Sequence, residues 1–323
     1  MFSLSRVNSQ KSVNYFSRLY SRGSFKLGIA QLSVVSDYQK QIQMARESIS
    51  KLADLGSDII CLGELWSTLF NYDYYKERAS LLNEGLAYEM LSKVAKEKQV
   101  YVVGGSLPEI IPQAKYGEII TKSKTTHLPS KSIIANTSPV FDPKGNLINY
   151  FRKAHLFDVS FDDQDKITES DHFAKGKKLC YVETPFCKFG VGICFDLRFP
   201  EFTQLYAQMD VDLLLFPTAF LKLTGEKHWD VLVRSRALDA QCYVAGVSNS
   251  RDKKSDYLVY ANSMVANPWG EVITKLGTDD QISCVEIDLD FREKVKKQLP
   301  VLQLKRNDIY KLKLSPSISK TIK

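Results

Sequence analysis

Phe189-Gly190-Val191-Gly192-Ile193-Cys194-Phe195-Asp196-Leu197-Arg198-Phe199-Pro200-Glu201 is the stretch on which the reading of the chain depends. An apolar run that reads as a buried strand stops at a single cysteine. A polar turn follows, and Pro200-Glu201 opens a helical spacing at Phe202, Leu205, Tyr206 and Met209. A thiol at a strand exit and before a helix start is held in place and presented to a cleft, where the amides of the turn favour negative charge. A catalytic cysteine sits this way. So does an inert core cysteine, the commoner fate of a lone cysteine in a strand. The rest of the chain decides between them.

On the amino-terminal side, residues 25–32, 58–63 and 100–105 read as strands. Helical spacing over 37–53 and 74–98 lies between them. Residues 113–130 are polar and irregular and read as a surface loop. Residues 132–141 alternate as a strand, Asp142-Pro143-Lys144-Gly145-Asn146 is a hairpin turn, and 147–153 returns. Residues 158–178 read as a long charged loop of the kind that often carries function. Residues 182–194 form a strand pair turning near 185–188.

On the carboxy-terminal side, strands are expected at 211–217, 242–248, 261–267, 271–275 and 284–289, with Pro268-Trp269-Gly270 as a turn. Residues 218–225 read as a loop, 226–240 and 291–298 as helices, and 302–310 as an extended arm. Helices alternating with apolar strands argue for an α/β layered fold. No linker divides the chain after residue 25, so 25–310 is one domain and 311–323 a basic tail.

The chain of 323 residues carries a net charge of +7, gathered at its ends. Arg6, Lys11, Arg18, Arg22 and Lys26 precede the first acid, Asp37, and Lys311, Lys313, Lys320 and Lys323 crowd the last stretch. Without these nine the balance is near neutral, so no nucleic-acid footprint is expected. No run approaches the roughly 20 apolar residues that span a bilayer, so no membrane partner is expected. The six cysteines form no Cys-x-x-Cys pair, and the four histidines show no ligand spacing. No metal site is expected, and a reduced compartment fits better than a disulfide scaffold. Residues 1–24 are rich in Ser, Arg, Asn and Tyr and lack acids. That is the composition of a mitochondrial transit peptide, with a disordered tail on a cytoplasmic protein as the other reading.

Two charged residues stand at strand exits. Glu64 follows 58–63 and could act as general base for a thiol, although a lone glutamate is by default a cap or a surface residue. Lys153, in Tyr150-Phe151-Arg152-Lys153-Ala154-His155-Leu156-Phe157-Asp158, could stabilise a thiolate or an oxyanion.

With Cys194, these residues carry a resemblance. From about residue 25 to 310 the chain resembles the nitrilase superfamily of carbon–nitrogen hydrolases, and within it the omega-amidase branch. Further matching segments are His228-Trp229, Arg234-Ser235-Arg236-Ala237-Leu238-Asp239, Asn267-Pro268-Trp269-Gly270-Glu271 and Lys305-Arg306-Asn307-Asp308-Ile309-Tyr310.

The resemblance implies a four-layer α-β-β-α sandwich and a homodimer or larger homo-oligomer. It implies Cys194 as nucleophile, Glu64 as general base, Lys153 as the third triad member and Glu169 as a second active-site glutamate. Lys153 and the Phe195 backbone amide would stabilise the oxyanion. Arg198 would bind a substrate carboxylate, with Phe220 and Thr224 beside it in the pocket. An ion pair of Arg198 with Asp196 or Glu201 is the plainer reading of that arginine. No cofactor is implied. The substrate implied is a small dicarboxylic acid monoamide, 2-oxoglutaramate or succinamate.

Three departures bear on the substrate. Gly63-Glu64-Leu65-Trp66-Ser67 replaces the usual Pro-Glu-Cys-Phe-Asn, Asn262 stands where a histidine is expected, and the 113–130 loop is long. The alternatives are a deaminated glutathione amidase, an N-carbamoyl amino acid hydrolase, and a catalytically silent binding protein of the same fold.

Overall fold

The computed structural model describes residues 23–112, 133–161, 166–253 and 255–314. The loop read at 113–130 and most of the amino-terminal segment and basic tail lie outside these residues. In the first half, β1 (Ser24–Gln31), α1 (Tyr38–Asp54), β2 (Ile59–Cys61), α2 (Tyr72–Arg78), β3 (Ser80–Leu81) and α3 (Leu86–Lys98) come first. They lead to β4 (Tyr101–Val103), β5 (Leu107–Ile111), β6 (Ile133–Phe141), β7 (Leu147–Arg152), β8 (Asp158–Ser160) and β9 (Lys166–Thr168). The second half contains β10 (Cys180–Glu183), β11 (Lys188–Val191), α4 (Pro200–Gln208), β12 (Leu213–Thr218), α5 (Lys222–Ala240) and β13 (Tyr243–Ser248). It closes with β14 (Met264–Ala266), β15 (Val272–Lys275), β16 (Gln281–Asp288) and α6 (Leu289–Gln298).

One sheet runs β16-β1-β2-β4-β6-β5-β3 with β7 on β6, and the other runs β10-β11-β12-β13-β14-β15. Alternation along the first sheet builds the layers. Leu27, Ile29, Ile59, Cys61 and Val103 join a core with Phe189, Val191, Leu213 and Leu215 of the second sheet. Ala30, Ile60, Leu62 and Val102 pack instead on Ile42, Ala45, Ile49, Leu52, Leu91 and Val94 of α1 and α3. On the far side, α4 and α5 cover the second sheet through Phe202, Tyr206, Trp229, Val233 and Ala237. The result is the four-layer α-β-β-α sandwich. Each fully buried aliphatic side chain contributes about 1.5–3 kcal/mol. Gly190 is what lets α4 lie so close: a Cβ there would meet the Tyr206 ring at 2.6 Å.

Local signals explain most elements. Asp37 caps α1 by accepting from the Lys40 amide at 3.0 Å, and the apolar positions of that helix recur every three to four residues. Four expectations change. The single helix over 74–98 is two helices, because β3 pairs with β5 after α2, and Asn83 and Gly85 then take positive φ (64° and 83°) before α3. The loop at 158–178 contains an antiparallel ribbon, Asp158↔Thr168 to Ser160↔Lys166, and then a 3-10 turn over Glu169–Asp171. Three-residue strands are too short to leave an alternating pattern. The second long helix begins at Lys222 rather than 226, since the Lys222 amide donates to the Leu258 carbonyl and Gly225 sits inside the first turn. Residues 302–310 form successive turns with Arg306 paired to Asp308, rather than an extended arm.

Candidate active site

Cys194 follows β11 after two further residues, on a 3-10 turn that leads into α4. Its φ of 44° is left-handed, a strained conformation for a residue with a Cβ and one that functional sites retain. The side chain is 5% exposed. Burial pushes the thiol well above its usual range, the negative charge and hydrogen bond of Glu64 push it further, and Lys153 and the Ala219 backbone amide oppose the shift.

Glu64 follows β2 after two further residues and is also buried. Lys153 follows β7 and donates from Nζ to Oε1 of Glu64 at 2.8 Å and to Oε1 of Glu169 at 2.9 Å. Burial works against the ammonium charge, but Glu169 and Glu64 outweigh it and hold its pKa well above the ordinary lysine value. Burial raises the Glu169 carboxyl, Lys153 opposes that, and Glu64 adds to it. Glu169 Oε2 also accepts from the Phe157 amide at 2.6 Å, which ties the ribbon's exit to the lysine turn. Asn136, in the middle of β6, donates from Nδ2 to Glu64 at 2.9 Å while its carbonyl accepts from the Lys153 amide. Asn249 donates to the Glu64 carbonyl at 2.6 Å, and a Cβ at Gly63 would meet Asn249 Oδ1 at 2.2 Å. That contact gives a reason for glycine before the glutamate. Trp66 is buried, with Nε1 donating to the Gly104 carbonyl at 2.7 Å. Asn262 holds a positive φ of 58° and accepts from Trp229 through its own carbonyl, a backbone role that asparagine tolerates.

Asp196 is completely buried, and its carboxylate is taken up by Ile193 and His155. Its Oδ2 accepts from the Ile193 amide at 3.0 Å. Its Oδ1 accepts from the His155 amide at 2.9 Å and meets His155 Nδ1 at 2.6 Å. One carboxylate thus brackets the cysteine turn to the lysine turn, and the His155 ring is stacked on Phe199 at 3.6 Å.

Cys194 borders two cavities. One of about 280 Å³ is lined by Glu64, Lys153, Glu169, Tyr72, Tyr75 and His172 among others. The other, much smaller, is lined by Phe195, Arg198, Phe220 and Thr224. All the residues expected at the site are therefore brought together. The ion pair with Asp196 or Glu201, the other reading of Arg198, is not formed. The guanidinium lies over the rings of Phe220 (4.9 Å) and Phe195 (5.8 Å), and its terminal nitrogen is 3.1 Å from His228 Nδ1. Among the described residues no group of His, Cys, Asp and Glu side chains is disposed to hold a metal ion, and no helix is long and apolar enough to cross a membrane.

Residues 26–297 match the carbon-nitrogen hydrolase family. The chain belongs to that family. Among curated relatives it is similar to the omega-amidase of Homo sapiens, 37% identical over 291 residues, which cover 90% of this chain and 98% of that one. The omega-amidase of Danio rerio is 36% identical, with 88% and 96% covered. Among solved structures it is similar to Saccharomyces cerevisiae Nit3, a nitrilase-superfamily protein, with TM-score 0.76, 29% identity, and 88% and 97% covered.

In this carbon–nitrogen hydrolase, sequence reasoning missed Asn136, Asn249, the bracketing role of Asp196, and Tyr257, which lines both cavities beside Cys194. Asn136 left a signal: it is a polar residue in the otherwise apolar run Ile133-Ile134-Ala135-Asn136 of a buried strand. Asn249 and Tyr257 lie in loops whose approach to the site depends on how the two sheets meet.

Proposed function

We propose that this chain is an omega-amidase, hydrolysing the amide of small dicarboxylic acid monoamides such as 2-oxoglutaramate and succinamate. The observation that carries the proposal is a buried cysteine lining one cavity with Glu64 and Lys153, with Lys153 held between Glu64 and Glu169. The likeness to omega-amidases over nearly their whole length supports the substrate class. In the reaction Glu64 takes the thiol proton as Sγ attacks the amide carbon. Coupling the two events suits a thiol whose pKa is raised at rest. The oxyanion forms beside Lys153 and the Phe195 amide, a preorganised positive environment away from bulk water. Glu64 returns the proton to the leaving nitrogen, and ammonia departs from a thioester. Water that gives its proton to Glu64 then releases the dicarboxylate and restores the thiol. Glu169 fixes the ammonium. Arg198, which meets no carboxylate among the described residues, receives the carboxylate of the substrate.

The test is ammonia release from succinamate, 2-oxoglutaramate and deaminated glutathione, with Cys194→Ala as blank. Preference for the two small monoamides is expected. Preference for deaminated glutathione would move the substrate to the sister activity, and silence on all three would overturn the proposal. We further propose mitochondrial import through residues 1–24, supported by their acid-free composition. We also propose a homodimer, which exposed Val231, Leu238 and Trp269 support. A reporter fused to residues 1–24 and light scattering of the purified chain test these two.

A further inference from the structure

Among the described residues the buried arginines each have an acid. Arg152 pairs with Glu109, Arg236 with Asp239, and Arg292 with Asp210 and Asp212. Half-buried Arg198 differs: among the described residues its polar side-chain partner is His228, and aromatic rings supply the rest of its surroundings. A guanidinium has five donors and no acceptor, so His228 Nδ1 takes this hydrogen bond through its lone pair. The ring is then neutral, with its proton on Nε2. The backbone of Arg198 is fixed separately. Arg236 donates from Nε to the Leu197 carbonyl at 2.8 Å and from Nη2 to the Arg198 carbonyl at 2.9 Å. His228 and Arg236 both lie on α5, eight residues apart, as does Thr224, one turn before His228 in the small cavity. One helix thus holds both ends of the arginine, the backbone with a charged fork and the side chain with a neutral ring.

The contrast matters for charge. An acid at 228 would neutralise the guanidinium and compete with an incoming carboxylate. A neutral acceptor orients the guanidinium and leaves its charge unspent. Burial lowers the pKa of this arginine, which fits a cation that lacks a full counter-charge.

We propose that His228 is a positioning residue for substrate selectivity: it presents Arg198 to the substrate carboxylate by giving it a neutral acceptor in place of an acid. The inference rests on the omega-amidase reading and specifies how that site selects anionic amides.

The experiment is steady-state ammonia release from succinamate and from butyramide, which carries a methyl group in place of the carboxylate. For His228→Asp the expected result is a KM for succinamate raised about 30-fold, with kcat within about twofold, as for loss of a charge-assisted contact. Its kcat/KM for butyramide should fall less than about threefold. His228→Gln, whose Oε1 can accept in place of Nδ1, should restore the succinamate KM to within about threefold of the parent. If His228→Asp does not fold, His228→Leu, which has bulk without an acceptor, should raise that KM about tenfold. A succinamate KM that stays within threefold in His228→Asp, or in His228→Leu where the former does not fold, would overturn the role of His228 and leave the omega-amidase reading standing. So would an equal loss on butyramide. A parent protein inert towards succinamate, 2-oxoglutaramate and deaminated glutathione would overturn both.

Discussion

Arg152 and Lys153 are adjacent buried cations at the end of β7, and they are used in opposite ways. Successive side chains of a strand point to opposite faces, so the two reach different acids. Arg152 closes on Glu109 through two hydrogen bonds of 2.7 and 2.5 Å, and Thr137 donates to the same carboxylate at 2.7 Å. One cation meets one acid, and the acid's oxygens are occupied. Lys153 stands between two acids, beside a thiol and at the wall of a cavity. A buried ion pair that balances itself is a device of the fold. A cluster with an acid in excess beside a nucleophile is poised to move a proton.

Substitution of the two neighbours should separate these duties. Lys153→Met should lower kcat for ammonia release about 10³-fold, because it removes the charge that meets the oxyanion. Turnover within tenfold of the parent would break the contrast. Arg152→Met leaves Glu109 buried and unpaired. It should cost about 3–5 kcal/mol in denaturant unfolding, while the folded fraction keeps turnover within tenfold. A catalytic loss without a loss of stability would place Arg152 on the chemical side instead.

The Asp196 bracket sharpens the comparison, since it is a buried acid that serves the site without touching the reacting atoms. Asp196→Asn cannot accept from both Ile193 and His155 as the carboxylate does. It should lower kcat about 50-fold with KM within about threefold, measured on succinamate. An unchanged kcat would reduce the bracket to packing.

The smallest effect is expected at a cluster remote from the cysteine, where Arg292 meets Asp210, Asp212 and Glu293, and Lys296 meets Asp210 and Glu293. Burial alone would raise the Asp210 carboxyl, but Arg292 and Lys296 hold it well below the usual carboxylate range. A carboxyl depressed in the folded state adds stability above its unfolded pKa of about 4, and that stability is lost as pH falls through the folded value. Asp210→Asn should therefore be modestly less stable than the parent at pH 7, with the difference shrinking below about pH 4. Denaturant midpoints across that range are the check. A gap that widens in acid would reverse the assignment.

How much of this was legible in the sequence follows from the range of each interaction. The strand ending at Cys194, the cap at Asp37 and the hairpin at Gly145 rest on neighbours, and their patterns are local. Glu64, Lys153 and Glu169 became candidates together only through resemblance, because the residues that join them lie 16 to 89 positions apart. The direction of Asp196 could not be read at all. Arg198 and Glu201 are close in sequence, yet the bracket goes to His155, 41 positions away. The break between α2 and α3 was written in Asn83 and Gly85, but the apolar spacing on either side concealed it.

The residues of the site come from separate sheets: Glu64 and Lys153 leave the first, and Cys194 leaves the second. Until those sheets dock, Cys194 has neither its base nor its ammonium and is an ordinary thiol. Whatever the order in which the helices and strands form, amidase activity returns no earlier than that docking. Recovery of turnover is thus a readout of the docking of the two sheets.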